Sequence, residues 1–165
     1  LANTEVELAQ ADGRFVRLKR ALEEAKEYDY IVIDSPPSLS LLTVNGLIAA
    51  RYILLPVQAE FYALEGLGQL LETMKLIRKG LNPSLELLGV LPTMMDARTT
   101  LSTQVHDEIK KHFPDKVFTA TIPRNIRLAE APSHGLPVGA YDRFSKGARA
   151  YKALAKEIME RTAAV

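Results

Sequence analysis

Four short apolar runs, each of strand length and each followed by a segment of helical period, most restrict what this chain can fold into. They are "YIVI" (30–33), "YILLPV" (52–57), "LELLGVLPT" (85–93) and "KVFTATIP" (116–123). Runs rich in Val, Ile and Leu suit strands buried on both faces of a parallel sheet. Strands that alternate with helices across short connections predict an α/β fold with a parallel sheet.

The helical segments are read from their apolar spacing. Residues 12–27 place Phe15, Leu18, Leu22 and Ala25 on one face, with Asp12 as a cap. An apolar helix is expected over 38–50, with Ser38 at its start. A long one is expected over 61–79, carrying Leu64, Leu67, Leu71, Met74 and Ile77 and closed by Gly80 and Pro83. Leu101, Val105 and Ile109 share a face over 100–112, and a short helix near 126–131 and a terminal helix at 145–162 complete the pattern. The methionines Met74, Met94, Met95 and Met159 read as core or near-core fillers. With no repeat or linker in view, residues 1–165 are expected to form a single domain.

The first run ends in Asp34, Ser35, Pro36 and Pro37. Each proline lacks an N–H donor and disfavours αR in the residue before it, so a ladder must stop there. A carboxylate at the carboxyl end of a buried strand stands where open α/β sheets hold their ligands. Ordinary turn chemistry accounts for Asp34 equally well at this point.

Composition excludes several classes. There is no cysteine among the 165 residues, hence no disulfide framework, thiolate zinc site or cysteine-ligated cluster. His106, His112 and His134 make no H-x-x-x-H pattern, and Ser35 lacks the G-x-S-x-G context of a hydrolase nucleophile. No apolar run approaches the roughly 20 residues that span a bilayer, so no membrane association and a cytoplasmic location are expected. Charge is uneven: residues 1–97 hold 9 Lys/Arg against 13 Asp/Glu, and residues 98–165 hold 12 against 7. A basic C-terminal half is compatible with a surface that faces nucleic acid, and equally with a solvated helical face.

The stretch "YDYIVIDSPPSLSLLTVNGLIAARYILLPVQAEFYALEGLGQLLETM", with "TMMDARTTLSTQV" and "IPRNIRLAEAPSHGLPVGAYDRFSKGARAYKALAKEI", resembles the ParA-type (Soj-like) partition ATPases, deviant P-loop proteins related to MinD. The resemblance covers essentially the whole chain and implies a P-loop NTPase-like three-layer fold. It makes the first run a Walker B element, with Asp34 holding Mg²⁺ through water. Such a role fits a hard cation that takes few carboxylates and keeps its waters. It places Thr93, Pro123 and Asn125 near the adenine of ATP. It marks Arg98, in "DART", as a contact to DNA without sequence preference, with Arg127, Lys146 and Arg149 as candidates for the same face. A ParB-type partner protein, an ATP-bound homodimer and a nucleoid-associated location are implied for the complete protein.

No G-x-x-x-x-G-K-[ST] occurs in the sequence, and the chain opens on Leu1 within "LANTEVELAQADGR", which reads like chain interior. The expectation is therefore a C-terminal portion of a ParA-type ATPase, with its N-terminal strands missing and no ATP hydrolysis of its own. The alternative is a non-catalytic DNA- or partner-binding module derived from such an ATPase.

Overall fold

The computed structural model describes residues 7–36, 38, 40–60, 65–96 and 98–163, with residues 65–67 and 69 described by backbone alone. Pro37 and Leu64 thus lie outside the described residues. In chain order these residues form α1 (Arg17–Leu22), α2 (Leu41–Ala49), β1 (Tyr52–Gln58), α3 (Glu65–Gly80) and β2 (Glu86–Thr93). Next come α4 (Thr100–His112), α5 (Ile126–Glu130), a 3-10 turn (Ala131–His134), α6 (Val138–Tyr141) and α7 (Lys146–Ala163). The chain divides into two compact units. One holds the residues up to Ile53 with Gly68–Glu86; the other holds Leu54–Leu67 and the chain from Leu87 onward.

β1 and β2 are neighbours in the sheet. Glu86 N–H donates to the Arg51 carbonyl at one end, and Ala59 N–H donates to the Thr93 carbonyl at the other, so the two strands run parallel. Burial alternates along β1: Ile53, Leu55 and Val57 are buried while Pro56 and Gln58 are exposed. A proline without an N–H is tolerated on such an outer strand. In β2 the run Leu88–Pro92 is buried without alternation, as expected of a central strand.

The other side of β2 receives residues 116–124, again in parallel. Val90 pairs with Val117 and Met95 with Pro123 as two separate bridges. The continuous strand expected over 116–123 is therefore broken in the middle. Between the bridges the N–H groups of Thr119 and Ala120 donate to the Glu157 carboxylate at 2.9 and 2.8 Å. A side chain from α7 has taken the Ala120 donor that a regular ladder with β2 would have used, together with the Thr119 donor that faces away from β2.

The first unit corrects the reading of residues 28–36. Tyr30–Ile33 forms no strand: its backbone is irregular, and Val32 is 91% exposed. An apolar β-branched run is compatible with a sheet, but a strand exists only where a neighbour supplies the ladder. α1 also begins later than expected, after a series of turns in which Gly13 adopts a left-handed φ of 66°, and it ends earlier, at Leu22. Asp12 does not cap it. The first-turn donor Leu18 N–H is met by the Oδ1 of Asn45 in α2 at 3.3 Å, and the Asn45 amide donates to the Arg14 carbonyl at 2.7 Å. Asn82 closes the other end of α2, donating to the carbonyls of Leu47 and Ala50 at 3.0 and 2.7 Å. Leu47, Ile48, Met74, Ile77 and Leu85 form this unit's core.

In the second unit α4 starts at an N-cap, Thr99, whose hydroxyl accepts from Ser102 N–H. The buried face is Ser102, Val105 and Ile109; Leu101, expected on it, is 42% exposed. Of the four methionines only Met74 is buried; Met94 and Met159 are exposed. α7 presents Ala148 and Leu154 inward, and Gly147 sits where a Cβ would lie 2.7 Å from Leu128 Cγ.

Candidate functional site

The second unit carries a cavity of about 540 Å³ at the carboxyl ends of its parallel strands. Gln58 and Thr93 come from the last residues of β1 and β2. Asn125 follows the third extended segment, and Tyr151 comes from α7. Ile122, Ile126 and Leu128 complete a largely apolar wall. A strand-end cleft with apolar sides and a few polar groups is the ordinary form of a small-molecule site in α/β proteins.

Asn125 is the N-cap of α5, and its Oδ1 accepts from Arg127 N–H at 3.1 Å. With the oxygen engaged, the side-chain amide keeps its N–H₂ end as the donor available to a ligand. Pro123 borders the cavity without lining it. It lies between Ile122, whose carbonyl accepts from Met95 N–H at 3.0 Å, and Arg124, whose N–H donates to the Met95 carbonyl at 3.0 Å. These two hydrogen bonds tie the segment before Asn125 to Met95, two residues past Thr93, and both Thr93 and Asn125 line the cavity. Met94, on the same rim, holds a φ of 54°. A left-handed backbone costs a non-glycine residue about 1–2 kcal/mol, and such strain concentrates at binding sites.

Beyond Met94 the loop carries Asp96 and Arg98. Arg98 donates from Nε and Nη2 to the two oxygens of Asp96 at 3.0 and 2.8 Å, and its backbone N–H donates to Oδ1 at 3.1 Å. These hydrogen bonds hold the Asp96 carboxyl well below the usual carboxylate range. Lys146 and Arg149 are exposed at the start of α7. Arg127 differs from them: it pairs with Glu130 at 2.8 Å and approaches Asp142 at 3.5 Å, an arrangement that ties α5 to the chain after α6.

Asp34 belongs to the first unit and is exposed. α2 packs against this segment: a Cβ on Gly46 would lie 3.4 Å from Ser35 Oγ and 3.5 Å from Ile33 Cγ2. Among the described residues no group of three or more His, Asp or Glu could hold a metal by itself. A single carboxylate is nevertheless the donor set that Mg²⁺ takes when phosphate oxygens and water fill its shell. No helix among the described residues is long and apolar enough to cross a membrane.

Of the residues singled out in the sequence, the fold brings Thr93 and Asn125 to one cavity and puts Pro123 at its border. Gln58 and Tyr151 had not been singled out, and Met94, expected as a core or near-core filler, lines the cavity instead. The strand-end rule could have found Gln58; nothing in the helical pattern of α7 marks Tyr151.

A family model described as AAA domain matches residues 1–87, just over half of the chain. The sporulation initiation inhibitor protein Soj of Bacillus subtilis is 58% identical over 159 residues, 96% of this chain and 63% of its own length. The chromosome partitioning protein ParA of Myxococcus xanthus is 51% identical over 98% of this chain and 57% of its own length. Among solved structures, cobyrinic acid a,c-diamide synthase from Mycobacterium smegmatis with bound ADP and magnesium aligns with a TM-score of 0.77 and 38% identity. That alignment covers 94% of this chain and 56% of the synthase. The chain thus spans about three-fifths of the length of the curated relatives it matches.

These matches correct two expectations. The description of the chain as only a C-terminal portion of the family is corrected: the family model matches residues 1–87, and family sequence runs through 96–98% of the chain. The P-loop NTPase-like parallel-sheet fold stands. The expectation of no ATP hydrolysis, which rested on the missing phosphate-loop motif, is corrected as well: a homologue whose structure holds ADP and magnesium aligns with 94% of this chain. The chain belongs to the AAA-domain family, and it is similar to the ParA- and Soj-type chromosome-partitioning proteins.

Proposed function

We propose that the protein works as a ParA-type partition ATPase that binds ATP with Mg²⁺ and binds DNA without sequence preference. In this reading it pairs with a second copy when ATP is bound, is released by a ParB-type partner, and operates at the nucleoid. The observation that carries the reading is the meeting of Thr93 and Asn125 on one strand-end cavity.

The cavity's chemistry suits a purine base. Ile122, Ile126 and Tyr151 offer apolar and aromatic surface to its faces, and the Asn125 amide and Thr93 hydroxyl offer hydrogen bonds to its edge. Asp34 would hold the magnesium shell through water. The bound ATP and Mg²⁺ supply the phosphoanhydride and the charge that offsets its oxygens. Arg98, Lys146 and Arg149 are exposed cations of the second unit and would neutralise DNA phosphates. Arg127 contributes least, since two carboxylates already share its guanidinium.

The test is titration of the purified protein with a fluorescent ATP analogue and Mg²⁺, alongside binding of a labelled random-sequence duplex with and without ATP. Saturable nucleotide binding that Asn125→Ala weakens supports the reading. DNA binding that ignores ATP, with no nucleotide binding, supports a DNA-binding module instead.

A further inference from the structure

The Asp96–Arg98 pair has an arrangement that a solvated surface charge does not need. Arg98 commits its Nε–H and one Nη2–H to the Asp96 carboxylate, and its own backbone N–H as well. The Arg98 side chain is nevertheless 88% exposed, while that of Asp96 is 24% exposed. A guanidinium has five N–H donors in a planar fork. With one edge bound, the Nη1 side and the second Nη2–H remain, and they form another bidentate edge facing solvent.

The Asp96 main chain is itself anchored. Asp96 N–H donates to Ser102 Oγ at 3.2 Å, and the Asp96 carbonyl accepts from Thr99 N–H and Thr99 Oγ1 at 3.0 Å each. These bonds use the Asp96 main chain and fasten it to the first turn of α4. Only the Asp96 side chain is left to hold the arginine.

We propose that Asp96 is a positioning residue for DNA: it grips one edge of the Arg98 guanidinium so that the opposite edge is presented to a backbone phosphate. The inference rests on the reading of Arg98 as a DNA contact. A free arginine side chain must lose its rotamer freedom to meet a phosphate in two-point geometry; one already held in plane does not. Opposing this, a carboxylate beside a polyanion repels it. The two effects differ in sign, so a single substitution separates them.

The experiment is binding of a fluorescein-labelled random-sequence duplex by the purified protein with ATP and Mg²⁺ at low salt. The proteins compared are wild type, Asp96→Ala, Asp96→Glu, Arg98→Ala and the Asp96→Ala/Arg98→Ala double variant. Positioning requires Asp96→Ala to weaken binding roughly two- to five-fold, the range of an exposed ion pair, although it removes a repulsive charge. Asp96→Glu, whose carboxylate reaches the same guanidinium, recovers part of that loss. In the Arg98→Ala background, removal of Asp96 no longer weakens binding. Unchanged or tighter binding by Asp96→Ala, with Arg98→Ala still weakened, overturns the proposal and leaves Arg98 as a DNA contact. Unchanged binding by Arg98→Ala overturns the DNA reading of this loop, and the proposal with it. Because the Asp96 main-chain bonds do not depend on its side chain, far-UV circular dichroism of Asp96→Ala matches that of the wild type.

Discussion

Arg161 and Glu157, one turn apart on α7, meet at 2.7 Å and together fasten that helix to the sheet. Glu157 accepts from the Thr119 and Ala120 amides. Arg161 donates to the Leu88 and Val117 carbonyls at 3.1 and 2.7 Å and lies 4.1 Å from the centroid of the Phe118 ring. Both side chains are largely buried, at 23% and 16% exposed. The pair thus completes the hydrogen bonding of two extended segments that do not complete it between themselves.

Glu157→Gln should destabilise the protein by about 2 kcal/mol. An amide can accept from only one of the two backbone donors, and a hydrogen bond to a charged group is worth roughly 1.5–3 kcal/mol. Urea denaturation of the two proteins measures the difference. Stability within about 0.5 kcal/mol of the wild type would show that the clamp is ornamental.

Acid should release the same clamp. Burial pushes the Glu157 carboxyl up, but the Ala120 and Thr119 amides and Arg161 outweigh it, and it stays below the ordinary glutamate range. A depressed folded pKa contributes stability that is present above the unfolded value and is lost as pH falls through the folded one. Wild-type stability should therefore decline below about pH 4, and the decline should be shallower in Glu157→Gln. Denaturation midpoints across pH 2–6 would show parallel curves if Glu157 were not linked to folding.

Gly89→Ala should cost about 1–3 kcal/mol, the usual range for overpacking a tight site. An added Cβ would stand 2.5 Å from the Lys116 carbonyl oxygen, 2.7 Å from Arg161 Nη1 and 2.8 Å from the Phe118 ring. Backbone and a packed ring cannot yield as a surface side chain would. A thermal midpoint equal to that of the wild type contradicts this account of Gly89.

Asn82→Ala tests the first unit by itself. The side chain is 4% exposed and donates to two carbonyls at the end of α2, leaving both without a partner when it is truncated. The expected loss is about 2 kcal/mol. Hydrogen exchange should show it as faster exchange in α2, including Ala50, whose N–H donates to Gly46. Exchange unchanged in α2 would mean that Asn82 does not hold the helix end.

Periodicity located α4 to the residue and β1, β2 and α7 to within one or two positions. These are the segments whose apolar pattern agrees with their own hydrogen bonding and caps. The reading failed at Tyr30–Ile33, where composition favours a strand and no ladder forms among the described residues. It failed again at 116–123, where a glutamate from α7 intercepts the backbone. For the candidate site, Thr93 and Asn125 were legible as strand-end residues in a resembling motif. Tyr151 was not, because a helical residue joins a cavity only through the way its helix packs.

The amino-acid sequence by itself determined the alternation of strands and helices, the exclusion of cysteine chemistry, and the motifs that align the chain with partition ATPases. Those are properties of local propensity, composition and residue order, which each segment carries alone. Tertiary structure alone decided that Asn125 meets Thr93, that Asp96 holds Arg98 in plane, and that Glu157 and Arg161 finish a broken strand. Each of those depends on where donors and acceptors from distant segments stand in space, and a buried or shared hydrogen bond goes to the partner with the best geometry.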